Sequence, residues 1–150
     1  MEEKMPNILG ILHSAENTIR LVDDSVTDET LNLFIFAETS AEVKIYSRNK
    51  PKISSMRNYR RRKVFRKGLS VIETNRFSNR YVVIDDKFLY ILSRPLAKMS
   101  GRGFSFIRIM GYDEVQMMLF NMKLCENRSM RNIRGNAYSC GIGRYKIKVE

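Results

Sequence analysis

The chain has 150 residues, of which 43% are hydrophobic and 29% are charged, and its formal net charge is +11 at pH 7. This composition excludes an intrinsically disordered chain, and the length is that of one domain with its own core. No apolar run approaches the roughly 20 residues that a membrane-spanning helix needs, and the polar start MEEKMPN is unlike a secretory signal. The sequence therefore predicts an intracellular, cytoplasmic protein with no membrane partner.

The charge is distributed unevenly along the chain. Residues 1–47 carry three basic and nine acidic side chains, whereas residues 48–67 carry ten basic side chains and no acidic one. Residues 68–122 are nearly balanced, with seven basic and five acidic groups, and residues 123–150 carry seven basic and two acidic groups. A basic block of this density predicts an anionic partner, most often nucleic acid.

The first third of the chain predicts a βαβ unit. Apolar residues at helical spacing predict a short helix over 5–16, and the alternating segment TIRLV predicts a strand over 18–22. Thr27 has the position of an N-cap, because acidic residues and then an apolar face follow it. The strictly alternating residues 41–47 predict the next strand, and a strand, a helix and a strand in about 30 residues indicate parallel strands.

The remaining elements are predicted mostly as strands. Residues 48–67 have little periodicity and read as a basic loop or a short cationic helix. Residues 126–150 form a basic, glycine-bearing C-terminal extension with a terminal strand candidate, YKIKV. Between these two segments the sequence predicts four strands and then a Met-rich helix, at 69–74, 80–85, 88–93, 104–110 and 112 to about 125. The fold class is therefore α/β, a mixed sheet with flanking helices in one domain over 1–125.

The centre of the basic block is the predicted nucleic-acid-binding site. Arginine pairs bidentately with phosphate, and aromatic rings can stack on exposed bases. The predicted binding residues are Arg57, Tyr59, Arg60, Arg61, Arg62, Lys63, Arg66 and Lys67, with Phe65 as a second interleaved aromatic. Two other interpretations remain open: a surface for an acidic protein partner, and a solvated helix whose aromatics pack inward and whose charge the acidic N-terminal third neutralises.

The sequence predicts neither a metal nor a cofactor. The chain has two cysteines, Cys125 and Cys140, and one histidine, His13. A structural zinc site takes about four such ligands at close spacing, which this set does not supply. Asp23 and Asp24 follow a predicted strand, where α/β folds place ligand groups, but such a pair more often caps a loop.

Three stretches together match the segments of one known superfamily: LHSAENTIRLVDDSVTDETLNLF, AEVKIYS and FSNRYVVIDDKFLYILSRPLAKMSGRGFSFIRI. They resemble, in this order, the opening, the following strand and the motif hairpin of the compact, single-motif members of the phospholipase D-like (HKD) superfamily. The resemblance covers about residues 7–122 and excludes the block 49–67 and the tail 123–150. It implies one half of a phospholipase D-like fold and a homodimer, because active relatives assemble their site from two motifs.

The same resemblance identifies the motif positions. The superfamily motif is His-x-Lys-x4-Asp, in which the histidine attacks phosphorus and the lysine binds phosphate oxygens. In this sequence the histidine position holds Ser78, the lysine position holds Arg80, and the aspartate position is Asp85. The small-residue turn that usually follows is replaced by Ser93-Arg94-Pro95.

These departures predict a degenerate catalytic centre, with no catalytic residue expected at Ser78, Arg80 or Asp85. A serine nucleophile needs a neighbouring base, and the one histidine lies on the predicted first helix. Arg80 and Asp85 are expected to form a semi-buried pair that braces the hairpin, or a vestigial phosphate site. The predicted function is a catalytically inactive domain that binds nucleic acid or a nucleoprotein partner. The alternatives are a phosphodiesterase or nuclease with Ser78 as altered nucleophile, and an assembly subunit.

Overall fold

The computed structural model describes residues 7–98 and 105–133. Its six strands are β1 (Thr18–Val22), β2 (Glu42–Ser47), β3 (Leu69–Glu73), β4 (Arg80–Ile84), β5 (Phe88–Leu92) and β6 (Phe106–Ile109). Its α-helices are α1 (Ile8–Ser14), α2 (Asp28–Phe36), α3 (Met56–Arg60) and α4 (Tyr112–Ile133), and two 3₁₀ turns span Lys63–Phe65 and Leu96–Lys98.

All six strands form one mixed sheet in the order β3-β2-β1-β4-β5-β6. β1, β2 and β3 are parallel, while β4, β5 and β6 are joined to β1 and to one another in antiparallel pairs. The predicted α/β class, the βαβ unit and all six strands are confirmed, with bounds within two residues. Thr27 is the N-cap of α2, as its position predicts.

One face of the sheet is covered by α1 and α2. The alternation of β1 and β2 directs Ile19, Leu21, Val43 and Ile45 to this face, where all four are fully buried. They pack against apolar residues of the two helices, namely Ile8, Ile11, Leu12, Leu31 and Phe34. This is the larger of the two cores.

The other face is covered by α4. Val115, Leu119 and Met122 recur at helical spacing on one side of this helix and are buried against the sheet. Val22 and Val83 meet them from the strands. The domain therefore has three layers, with the sheet between α1 and α2 on one side and α4 on the other. Within the described residues, no helix is both long and apolar enough to span a membrane.

The predicted end of α4 near residue 125 is wrong. The helix continues through residues 126–133, which the sequence assigned to the basic extension. No helix breaker occurs between 112 and 133, and Glu126 contributes to the contact of α4 with the sheet. The terminal strand candidate YKIKV lies outside the described residues.

β4 and β5 are joined by a tight turn with two aspartates at its centre. Asp85 and Asp86 both have positive φ, 53° and 58°, and the N–H of Lys87 donates to the carbonyl of Ile84 at 2.9 Å. These angles match a type I′ turn, in which Asn-Gly is the usual pair. A residue other than glycine with positive φ destabilises the fold by about 1 kcal/mol, so we expect stabilising contacts from the two carboxylates.

Asp85 joins the turn to the start of β1. Its carboxylate accepts hydrogen bonds from the backbone N–H groups of Glu16, Asn17 and Thr18, at 2.7–3.1 Å. Burial alone would raise the pKa of Asp85, but these three donors lower it below its usual value. Asp85 is therefore an anionic cap for the segment that leads from α1 into β1.

Asp86 belongs to a buried charge cluster beneath α4. Arg20, 4% exposed on β1, donates from Nε to Asp86 Oδ1 (2.9 Å) and from Nη1 to Tyr46 Oη (2.7 Å) and to Glu126. Lys44 Nζ and Tyr46 Oη donate to the Glu126 carboxylate at 2.7 and 2.6 Å. We call these five residues the Arg20 cluster. It joins β1, β2 and the β4–β5 turn to the second half of α4.

The cluster keeps its carboxylates ionised. Burial raises the pKa of Glu126 and Asp86, but the hydrogen bonds from Lys44, Tyr46 and Arg20 outweigh it and lower both values. Burial also raises the pKa of Tyr46 well above its usual value, so this hydroxyl stays a donor. The cluster therefore holds fixed positive and negative charges in contact across neutral pH.

We predict that Glu126→Gln lowers the free energy of unfolding by about 2 kcal/mol, because it leaves the buried Arg20 with a weaker partner. Urea denaturation followed by circular dichroism measures the change. Glu73→Gln is the matched control, since Glu73 is exposed and makes no ion pair with any described residue. Equal effects of the two substitutions would contradict a role of Glu126 in holding α4.

We also predict that stability falls in acid. The pKa values of Asp85, Asp86 and Glu126 are lower in the folded state than in the unfolded chain. Their contribution is therefore complete above the unfolded pKa of about 4 and is lost as the pH falls through the folded values. Urea denaturation at several pH values between about 6 and 3 should give a decreasing free energy of unfolding. Asp85→Asn should flatten this dependence, and Asp113→Asn, at an exposed position, should not.

Candidate nucleic-acid interface and motif site

The predicted basic site lies on the crossover between β2 and β3. Within it, α3 and the turn Lys63–Phe65 replace the long helix that often connects parallel strands. All seven basic side chains of 57–67 are exposed, namely Arg57, Arg60, Arg61, Arg62, Lys63, Arg66 and Lys67. We call these seven residues the basic surface.

The aromatic residues of the crossover hold it against the domain. Phe65 is 2% exposed and packs edge-to-face on Phe34 of α2, with ring centroids 6.3 Å apart. Tyr59 is half-buried, packs edge-to-face on Phe65 at 6.5 Å and donates its hydroxyl to Asn32 Oδ1 at 3.1 Å. The inward packing that the sequence left open is therefore observed for Phe65 and largely for Tyr59. Base stacking, the role predicted for Tyr59, would compete with these contacts.

The cations of the basic surface have no acidic partners within the part of the chain that the structure describes. Three of them donate to backbone carbonyls instead: Arg60 to Leu69 (2.9 Å), Arg66 to Lys63 (3.1 Å) and Lys67 to Glu16 (3.1 Å). The interpretation in which the acidic N-terminal third neutralises the block is thus not supported by any ion pair between described residues. The surface keeps its full positive charge.

Two of the three motif positions, Ser78 and Arg80, line a small pocket, which is the second candidate site. Ser78 and Arg80 line it with Asp24, Arg48 and Thr74, and four further residues complete the lining: Val22, Tyr46, Phe77 and Asn79. The pocket lies where the parallel strands β1, β2 and β3 end and β4 begins. This is the edge at which α/β sheets usually bind ligands.

Asp85 is not part of this pocket. It follows the last residue of β4, whereas Arg80 is the first residue of that strand. Five extended residues separate the ends by roughly 16 Å. The expectation that Arg80 and Asp85 form a pair bracing the hairpin is therefore wrong, since each is engaged at a different end of the sheet.

The true partners of Arg80 are Asp23 and Asp24. Arg80 Nε lies 3.2 Å from Asp23 Oδ1, and Nη2 lies 3.1 Å from Asp24 Oδ1. Asp23 is 1% exposed and also accepts the N–H groups of Ser25 (2.9 Å) and Leu96 (2.8 Å). Asp23 thus ties the end of β1 to β4 and to the turn after β5, and the charge of Arg80 is largely compensated.

Ser78 has no histidine near it that could act as a general base. Its side chain is exposed, and His13 lies on α1, at the end of the sheet where β1 begins. The ring Nδ1 of His13 is 2.9 Å from the carbonyl of Ala37. Arg94, which replaces a small residue of the family turn, is exposed and does not line the pocket. The geometry offers Ser78 no activation by histidine.

The described residues contain no group of three or more His, Cys, Asp or Glu that could hold a metal ion. Asp23 and Asp24, the pair considered for a metal in the sequence, bind Arg80 instead. Cys140 lies outside the described residues. The Arg20 cluster was missed by sequence reasoning, and its only local signal is a charged residue inside the apolar strand TIRLV.

Comparisons with known proteins return little. No protein-family model matches the chain, and no curated protein matches it. Among solved structures, its fold is similar to that of TrmBL2, an archaeal chromatin protein whose structure is described as showing a novel mode of DNA binding. The identity is 19%, the TM-score is 0.42, and the match covers 81% of this chain and 47% of that one. The chain therefore spans about half the length of that protein.

We predict that Asp23→Ala lowers the free energy of unfolding by roughly 3 kcal/mol, because it leaves Arg80 and the N–H groups of Ser25 and Leu96 without their acceptor. Asp24→Ala is the matched control at the neighbouring, more exposed position, and its cost should stay within about 1 kcal/mol. Chemical denaturation of both variants measures the difference. Similar losses for the two would show that Asp23 does not hold β1, β4 and the following turn together.

Proposed function

We propose that this protein is a catalytically inactive phospholipase D-like domain that binds nucleic acid through its basic surface. The observation that carries the proposal is the state of the seven cations: all are exposed, and none is paired with an acid among the described residues. Of the four basic residues in the strands, Arg20, Lys44 and Arg80 are in salt bridges, and Arg108 lies over the ring of Phe88, 4.6 Å from its centroid.

The contrast matters because only unpaired cations exert a long-range attraction for a polyanion. A cation that already contacts a carboxylate contributes little field, and breaking the pair costs free energy. The crossover 48–67 has ten basic side chains and no acidic one, so its field is not cancelled locally. Contacts with phosphates would release counterions, which is the main driving force for non-specific nucleic-acid binding.

The phospholipase D-like assignment is supported by the element order and by the motif positions. A helix, a strand, a second helix and a second strand precede the antiparallel hairpin, in the order that the resemblance implies. Ser78 and Arg80 share a pocket at the carboxyl ends of the parallel strands. We attribute the loss of activity to Ser78, which has no neighbouring histidine to act as its base, and to Arg80, whose charge Asp23 and Asp24 compensate. A homodimer, which the resemblance also implies, would present two basic surfaces.

We predict that the protein binds labelled nucleic acid in fluorescence anisotropy with a steep dependence on salt. Replacing Arg57, Arg61 and Arg62 together by Gln should reduce the slope of log K against log salt by about 3, and should weaken binding by roughly one to two decades at moderate salt. These three side chains make no hydrogen bond to another described residue, so the variant should retain the fold.

The matched control replaces Lys87, Arg94 and Lys98 by Gln, three exposed basic residues outside the basic surface. It removes the same charge and should leave the slope within about 1 of the original. Millimolar affinity with a flat salt slope would sink the proposal and favour an acidic protein partner in an assembly. Cleavage of the labelled strand that disappears in Ser78→Ala would instead favour the phosphodiesterase alternative.

A further inference from the structure

We infer that the ligand of the basic surface is a double-stranded nucleic acid, held through its phosphates with little preference for base sequence. The inference rests on the proposed function and narrows it. It is argued from which side chains of the crossover face solvent and which face the domain. The cations are exposed, Tyr59 and Phe65 pack inward, and α3, which carries Arg57, Tyr59 and Arg60, is short and contacts α2 through Tyr59.

The aromatic side chains are the first argument. Sites for single strands combine a cationic groove with aromatic rings on which unstacked bases lie, and each ring contributes about 1–3 kcal/mol. Residues 48–68 are all described, and their two aromatics are Tyr59 and Phe65. Phe65 is 2% exposed, and Tyr59 is held by its ring contact and by Asn32. The crossover therefore offers no free stacking platform.

The length of α3 is the second argument. Sequence readout usually requires a helix or a two-stranded ribbon that enters the major groove and brings several side chains to base edges. α3 has five residues, which is about 7.5 Å of helix. It is fixed beside α2, since Tyr59 bonds Asn32 and the neighbouring Phe65 packs on Phe34. A helix this short and this closely packed cannot fill a groove.

The third argument is charge density. Duplex DNA carries about one negative charge per 1.7 Å of its axis, so a rigid duplex brings more phosphates to a fixed surface than a flexible single strand does. Arg60, Arg66 and Lys67 are themselves held by backbone carbonyls, which limits how far the surface can adapt to a ligand. Side chains that contact phosphates fix position but do not carry sequence information. A dense set of cations, three of them held in place and none beside a free aromatic ring, therefore matches a duplex backbone.

The test compares ligands of equal length in anisotropy titrations at one salt concentration. We expect a DNA duplex to bind about tenfold more tightly than either of its separated strands, and a duplex of scrambled sequence to bind within about twofold of the first. A parallel titration uses an RNA duplex of the same sequence. It shows whether the basic surface prefers the phosphates of a B-form or of an A-form backbone.

The Tyr59→Leu variant tests the stacking argument directly. It removes the ring, and circular dichroism verifies that the fold is retained. We expect the variant's affinity for the duplex and for the single strand to stay within about twofold of the original protein's, because Tyr59 does not stack on bases. If it did, the substitution would cost at least about 1 kcal/mol. Tighter binding of single strands than of the duplex would overturn this inference and leave the proposed function intact. A loss of single-strand binding alone in Tyr59→Leu would do the same. Absence of binding to every nucleic acid would overturn the proposed function itself.

Discussion

The burial of Arg20 is the constraint that determines how α4 packs on the sheet. A guanidinium that is 4% exposed in the middle of a strand must have ionic partners, or the strand cannot be covered. Asp86 comes from the β4–β5 turn and Glu126 from α4, so one charge fixes both a turn and a helix relative to β1. This explains why two aspartates occupy a turn that normally takes Asn-Gly, since the strain is offset by the bonds that Asp85 and Asp86 make. It also explains why α4 cannot end at residue 125.

Two groups of cations in the domain have opposite consequences. Arg20, Lys44 and Arg80 lie against carboxylates and serve to hold helices, strands and turns together. The seven cations of the basic surface have no such partner among the described residues and contribute a field instead of a contact. Because a surface charge that is not needed for packing can be changed at little cost in stability, the proposed binding can be tested without disturbing the fold. That separation is what makes the charge-matched variants informative.

The fold could be predicted largely from local patterns, and the site only in part. Alternation and capping identified all six strands and both ends of the βαβ unit, because those signals lie within a few residues of each other. The Arg20 cluster could not be found in this way, since Arg20 and Glu126 are 106 positions apart and β1 gives no sign that both of its faces are covered. The supposed Arg80–Asp85 pair failed for a geometric reason: five residues of extended strand place the two at opposite ends of the sheet. The basic surface was identified by composition alone, but only the structure showed that Tyr59 and Phe65 point away from it.

The position of the basic surface follows from how a parallel crossover is built. β2 and β3 must be joined by a segment that returns across the sheet, and in most folds a helix with a full apolar face fills that role. In this chain a few apolar side chains anchor the segment: Phe65 and Tyr59, which pack on α2 and on each other, and the partly buried Ile53, Met56 and Val64. These few anchors leave the other positions from 57 to 67 exposed, so seven of them can carry a positive charge without burying it. The crossover thus combines the rigidity of a packed element with the charge density of a surface loop, and this combination is the structural basis of the binding surface that we propose.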